Sequence, residues 1–234
     1  MKRAATTIIV LLVASVASAV LPTRADAALR APQVPVLGGT LQSYLLSVGE
    51  SINVLTQQEA TQSWAHTTSA TTAFTIQIEN SINANLNSFS LYNSNAVGVP
   101  TLFLLVPGPA IPQAFATGTF KPGNLLTVNR FDDLGTFLNS QTFAGVDPTA
   151  FSFALQGPNG TFYTQDARNP AGRAQAVAFQ GTGANAGTWW LCFDDAAVAS
   201  GSDQDFDDCV MLMESVNPTP VSSTSWGQLK RRFR

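Results

Sequence analysis

The chain has little charge, little histidine and little cysteine. Only 12% of its 234 residues are Asp, Glu, Lys or Arg, His66 is the lone histidine, and Cys192 and Cys209 are the two cysteines. Each shortage closes off a class of chemistry. Two cysteines and one histidine cannot complete a tetrahedral structural zinc site. A Ser-His-Asp triad would have to recruit His66, which stands in a Thr/Ser-rich stretch over 61–72 that reads as a surface loop, and no Gly-x-Ser-x-Gly elbow occurs in the chain. Basic residues are missing where a nucleic acid would need them. Between 28 and 229, 14 acids face five bases (Arg30, Lys121, Arg130, Arg168, Arg173), a net of −9, and no base occurs from 174 to 229. Such a field repels phosphates and draws cations, which excludes nucleic acid as a partner.

The amino terminus carries a different signal. Met1-Lys2-Arg3 precedes an uncharged stretch to Ala19 with an aliphatic run from Ile8 to Val13, and small residues follow at Ala17-Ser18-Ala19 and Ala25-Asp26-Ala27. A basic start, a short apolar run and an Ala-x-Ala exit describe a signal peptide over 1–27, cut after Ala19 or after Ala27. The competing reading is an uncleaved anchor, although the run falls short of the roughly 20 residues a span requires. The chain is therefore expected to be secreted or held at a bacterial cell surface, with no transmembrane span in its mature part. Residues 28–38, with Pro32 and Pro35, read as an extended leader.

The remainder is rich in Thr, Ser, Asn, Gln and Gly beside Val and Phe, and 45% of the whole chain is hydrophobic. That balance suits β-strands joined by tight turns, and it is too apolar for disorder. Leu41, Tyr44, Leu45 and Val48 fall at helical spacing and predict one short helix closing near Gly49. Strands are predicted at 51–56, 73–79, 87–93, 100–106, 114–120, 124–130, 149–156, 160–165, 174–180, 187–193 and 206–214. Turn residues separate most of them at intervals of about 8–12 residues, the spacing of a sandwich or jelly roll. The expected fold is a mostly β, antiparallel β-sandwich or jelly-roll-like single domain over 39–215. Beyond it, 216–234 read as a polar, Pro-containing linker and a basic tail ending in Lys230-Arg231-Arg232-Phe233-Arg234. That tail is either plain disorder or a surface address meeting an anionic partner.

The informative stretch lies between 188 and 214, where two apolar runs flank a loop rich in Ala, Gly and Ser. A hairpin centred between Ser200 and Gly201 sets Cys192 opposite Cys209, Trp190 opposite Met211, Leu191 opposite Val210 and Asp194 opposite Asp207. Its strands are apolar on both faces, so it should be buried. The cysteines would then be either a cross-strand disulfide or two buried thiols. Nearer the turn, Asp194, Asp195, Asp203, Asp205, Asp207 and Asp208 crowd together without a basic neighbour. Either they splay into water or a cation gathers them. Calcium takes six to eight oxygens from flexible loops and suits the set better than magnesium, which demands stricter geometry. Asp203, Asp205, Asp207 and Glu214 repeat the first, third, fifth and twelfth positions of an EF-hand loop. Asp208 replaces its glycine and strands replace its helices, so the spacing shows reach and not that motif.

Phe193-Asp194-Asp195, a short loop, and Ser202-Asp203-Gln204-Asp205-Phe206-Asp207-Asp208 before an apolar strand resemble the DUF4114 domain of exported bacterial proteins. The segments Phe89-Ser90-Leu91-Tyr92-Asn93 and Gly160-Thr161-Phe162-Tyr163-Thr164 extend the likeness over about 40–214. Asp194 stands where that family usually has Glu, and Asp207 where it usually has Asn. The resemblance implies an exported or surface module that binds calcium or, less directly, a catalyst.

The remaining candidates are weaker. Asp132-Asp133 after Phe131 echoes the hairpin motif but reads as a turn. Trp189 and Trp190 offer a candidate sugar-stacking face for a glycan-binding module, but adjacent strand positions point oppositely, so at least one is expected in the core. Two hairpin carboxylates would in principle serve a glycan hydrolase. The expectation is a non-enzymatic calcium module with a structural, surface, matrix or adhesion role, its partner a surface glycan or matrix protein.

Overall fold

The computed structural model describes residues 40–67 and 71–219. The expected signal peptide, the leader, the linker beyond 219 and the basic tail lie outside them. Helix α1 (Thr40–Ser47) ends where Gly49 takes a φ of +86°, a left-handed conformation glycine adopts without a Cβ clash. Thirteen strands follow: β1 (Trp64–His66), β2 (Thr72–Ile78), β3 (Ser88–Asn93), β4 (Phe103–Val106), β5 (Phe115–Lys121), β6 (Leu125–Phe131), β7 (Phe137–Ala144), β8 (Phe151–Gly157), β9 (Gly160–Tyr163), β10 (Ala176–Gln180), β11 (Trp189–Phe193), β12 (Cys209–Glu214) and β13 (Val216–Pro218). They form two antiparallel sheets in a sandwich-like arrangement. One has seven strands in the order β10-β11-β12-β2-β5-β6-β7. The other has six, β13-β1-β8-β3-β4, with β9 on β8. Besides α1, the described residues contain only short 3-10 turns. Among them, no helix is long and apolar enough to cross a membrane.

Alternation explains most of the packing. In β2, Phe74 and Ile76 turn inward, and in β6 so do Leu126 and Val128, all joining Phe89, Phe153 and Trp64 between the sheets. The hairpin β11–β12 differs because both its faces are covered. Leu191, Phe193, Cys209 and Met211 enter the sandwich core, while Trp190, Cys192 and Val210 meet Leu41 and Leu45 of α1 in a second cluster. A strand buried twice reads as a continuous apolar run, which is how the sequence presents it.

A β-bulge decides what happens at the end of β2. Val210 pairs with Ile78 and Met211 with Ile76, so Gln77 is the extra residue. Ile78 is thereby turned to the α1 side, away from the core that holds Phe74 and Ile76. An unbroken strand would keep Glu79 on the face of Thr75 and Gln77; the bulge re-aims it.

Glu50 ties the segment after α1 to the second sheet surface. Its buried carboxylate accepts hydrogen bonds from the Thr182 backbone N–H and Oγ1 at 2.6 Å each, from Asn185 Nδ2 at 2.7 Å and from Trp190 Nε1 at 2.7 Å. Burial pushes its pKa up, yet these donors together outweigh burial and hold it below the usual value.

Four sequence expectations are corrected. Residues 51–56 form a turn and not a strand, because Asn53 Oδ1 accepts from the Leu55 N–H at 3.0 Å and closes the chain on itself. His66 lies in β1, paired with Val216, not in a loop. Strand β7 was not foreseen, since every residue in it but the partly buried Phe143 is exposed and leaves no hydrophobic period. Pairing also continues past 215: β13, read as linker, lies beside β1 with Pro218 on an outer strand where no N–H is required.

Candidate metal centre

The hairpin pairs one residue out of the expected register. Phe193 faces Cys209, Cys192 faces Val210 and Leu191 faces Met211. The two cysteines therefore point to opposite faces of one sheet, and both are free and buried. The disulfide is excluded by that geometry. Asp194 likewise does not pair with Asp207; the backbone N–H of Asp195 donates to Asp208 Oδ2 at 2.8 Å instead.

The six aspartates separate into two groups. The inner group sits at one end of the sandwich, where the chain crosses from β2 to β3. Asp195 Oδ2 accepts from Ser81 Oγ, from Asn83 Nδ2 at 3.2 Å and from Asn87 Nδ2 at 2.9 Å. Asp208 lies beside it. Glu79, re-aimed by the Gln77 bulge, faces both, and its Oε1 is buried without a hydrogen-bond partner. Burial first, then the charges of Asp195 and Asp208, push the Glu79 carboxyl up to about 8 against a hydrogen bond from Asn87. Burial and the charges of Asp195, Asp194 and Asp205 raise Asp208 to about 7.

The outer group lies in the loop before β12. Asp194 is buried at the end of β11; its Oδ2 accepts from Ser202 Oγ and from the Gln204 N–H at 3.0 Å, and its Oδ1 from the Ala196 N–H at 3.1 Å. Burial raises its pKa, and the Asp203 charge adds to that. Asp205 Oδ1 accepts from the Asp207 N–H at 3.2 Å. Burial, then Asp207, Asp203 and Asp194, bring its carboxyl to about 7. Asp207 is buried and raised chiefly by burial, against hydrogen bonds from Thr40 and Asn80. Asp203 is exposed. Gln204 and Phe206 both adopt left-handed backbone, φ +59° and +58°, conformations that cost non-glycine residues about 1–3 kcal/mol each and are held only by surrounding structure. Phe206 is held by burial in the α1 cluster.

The arrangement gathers oxygen donors, buried carboxylates and no counter-charge. Among the described residues, no three acidic, histidine or cysteine side chains are close enough as they stand to coordinate one ion. Hydroxyl, amide and backbone donors hold the carboxylates apart. Sequence reasoning singled out the six aspartates and passed over Glu79, because the one available signal, its place at the end of an alternating strand, pointed it to solvent.

The other candidates resolve simply. Asp132 Oδ1 accepts from the N–H groups of Leu134 at 3.0 Å and Thr136 at 2.7 Å, an ordinary turn. Trp189 and Trp190 are both buried, so neither is a sugar platform. No family model, curated protein or solved structure matches the chain.

Proposed function

We propose that the protein is an exported β-sandwich stabilised by calcium, serving a structural, surface, matrix or adhesion role toward a glycan or matrix protein. The observation that carries this reading is the unpartnered, buried Oε1 of Glu79 beside Asp195 and Asp208. A buried oxygen with no donor costs about 1–3 kcal/mol, more when charged, and is relieved by a proton or by a cation. Carboxylate, hydroxyl and amide oxygens gather there, a set that suits a hard divalent ion, and the nearby Cys209 is kept a thiol by burial. Glu79, Asp195 and Asp208 would carry the charge, and Ser81 and the Asn83 and Asn87 amides the neutral oxygens. Calcium would supply the positive charge that the chain lacks from 174 to 229. The hairpin motif's likeness to DUF4114 domains supports the same reading.

Melting of metal-free protein with and without calcium tests it. Calcium is expected to raise the Tm, and Glu79→Gln, or Asp195→Asn with Asp208→Asn, to remove the gain. A wild-type melting curve unmoved by millimolar calcium would overturn the proposal.

One observation favours a second reading. Burial pushes the Glu79 carboxyl up to about 8, the direction that the acid of a glycan hydrolase needs. Reducing ends released from polysaccharide, lost in Glu79→Gln, would support that enzyme; their absence beside a calcium-dependent Tm leaves the structural role.

A further inference from the structure

The seven-stranded sheet treats its two edges differently. At β10 the outer side is covered, because the Glu59 N–H donates to the Ala178 carbonyl at 2.9 Å and forms a bridge there. At β7 the sheet simply stops: among the described residues nothing pairs with its outer side. The other sheet ends in β4 and β13, of four and three residues, whereas β7 has eight. An open edge is a row of unpaired N–H and C=O groups, and monomeric proteins blunt it with Lys, Pro, inward charges or bulges. Here no Lys, Arg, Asp, Glu or Pro occurs from 134 to 146. A register shift against Arg130 and Phe131 disturbs only the first residues of β7 and leaves Asn139 to Ala144 in regular pairing.

The edge is also rigid. Arg130 is buried, and its Nη1 donates to Asn139 Oδ1 at 2.8 Å and its Nη2 to Gln141 Oε1 at 3.2 Å, while Nε holds the Leu105 carbonyl of β4 at 2.8 Å. The last strand is thereby fastened to the opposite sheet, so pairing along it costs little ordering entropy. At its start, Leu134 and Phe137 are 85% and 57% exposed, an apolar shoulder beside the open edge.

We propose that β7 is the docking edge for a second copy of this chain, pairing antiparallel with the same strand of its twin to join two seven-stranded sheets into one. Charge decides for a twin. The chain is strongly acidic, yet β7 is neutral throughout, so pairing over 137–144 sets no like charges opposite one another, with Asp132, Asp133 and Asp147 lying beyond the strand ends. The acidic end of β12 is four strand spacings away, about 19 Å at 4.8 Å per strand, or roughly two screening lengths at physiological salt. The hairpin aspartates therefore add little repulsion between copies at this edge. A two-fold axis normal to the sheet keeps faces matched, with Ser140 and Thr142 on the outer side of both copies and Asn139 and Gln141 on the inner. Leu134 and Phe137 would then lie against the far end of the partner's strand.

Sedimentation equilibrium on the full chain, with and without calcium, tests this apart from the metal reading. The expected result is a dimer in both conditions, with Ser140→Lys plus Thr142→Lys giving a monomer that keeps the wild-type circular dichroism spectrum. Single cysteines placed at Asn139, Ser140, Gln141 and Thr142 are expected to cross-link best at the one position that faces itself; the buried native thiols do not interfere. A wild-type monomer at about 100 μM, open-ended oligomers, or a dimer indifferent to both lysines would overturn it.

Discussion

Cys192 and Cys209 belong to neighbouring strands and lie on opposite sides of the same sheet, Cys192 paired with Val210 and Cys209 with Phe193. A one-residue slip in a strand moves every side chain to the other face, and here it separates two sulfurs that a symmetric hairpin would have joined.

The thiols should therefore stay reduced without help from a reductant. Burial, with the charge of Asp207 added, raises the Cys192 pKa and keeps it a thiol. Thiol titration is expected to find no reactive group in folded protein and two after unfolding in air. Migration that changes on reduction would show a disulfide and contradict the pairing.

The acid cluster sets the pH response of the metal-free protein. Asp205 and Asp208 titrate near 7 and Glu79 near 8 when folded, against about 4 in an unfolded chain. The folded state thus binds protons more tightly, so stability falls as pH rises from about 4 to about 8. Melting temperature should drop across that window without metal, and bound calcium should flatten the slope. A metal-free Tm that climbs from pH 5 to 8 would contradict the burial of these groups.

Glu50 predicts the opposite sign and a local cost. Its pKa is lowered in the folded state, so its contribution is complete above the unfolded value near 4.3 and lost as pH falls below it. Glu50→Gln turns an amide donor toward Thr182 and Trp190 and should cost about 2–3 kcal/mol, or roughly 5–10 °C of Tm. A loss under about 1 °C would mean that the segment after α1 is held by other contacts.

Gly157 is the fourth test. A Cβ there would stand 2.1 Å from Asn87 Oδ1, so the Asn87 amide must swing away from Asp195 and Glu79. Gly157→Ala should destabilise the protein by about 1–3 kcal/mol and weaken calcium binding measured by calorimetry. Unchanged affinity would separate Asn87 from the site.

The sandwich was readable because alternation and turn residues report burial on one face, and the β11–β12 hairpin because burial on both faces gives an apolar run. Its register was not readable. Centring the loop on Ser200 and Gly201 assumes a symmetric turn, whereas a 3-10 turn at Val198–Ser200 and left-handed residues at 204 and 206 make it lopsided. Glu79 escaped notice because the bulge at Gln77 depends on the partner strand, which no local pattern encodes. Strand β7 escaped because exposure on both faces removes the period that betrays a strand. The aspartates were visible as composition; their division into two groups depends on Ser81, Asn83 and Asn87, over a hundred positions earlier in the chain.

The place of β12 has a consequence for synthesis. It lies between β11 and β2, and the last strand, β13, lies beside the first, β1. Neither sheet is complete until residues 209–218 have left the ribosome, and contacts so far apart in sequence form slowly. Until those residues emerge, the growing chain stays open and threadable, and its shape comes in one late step.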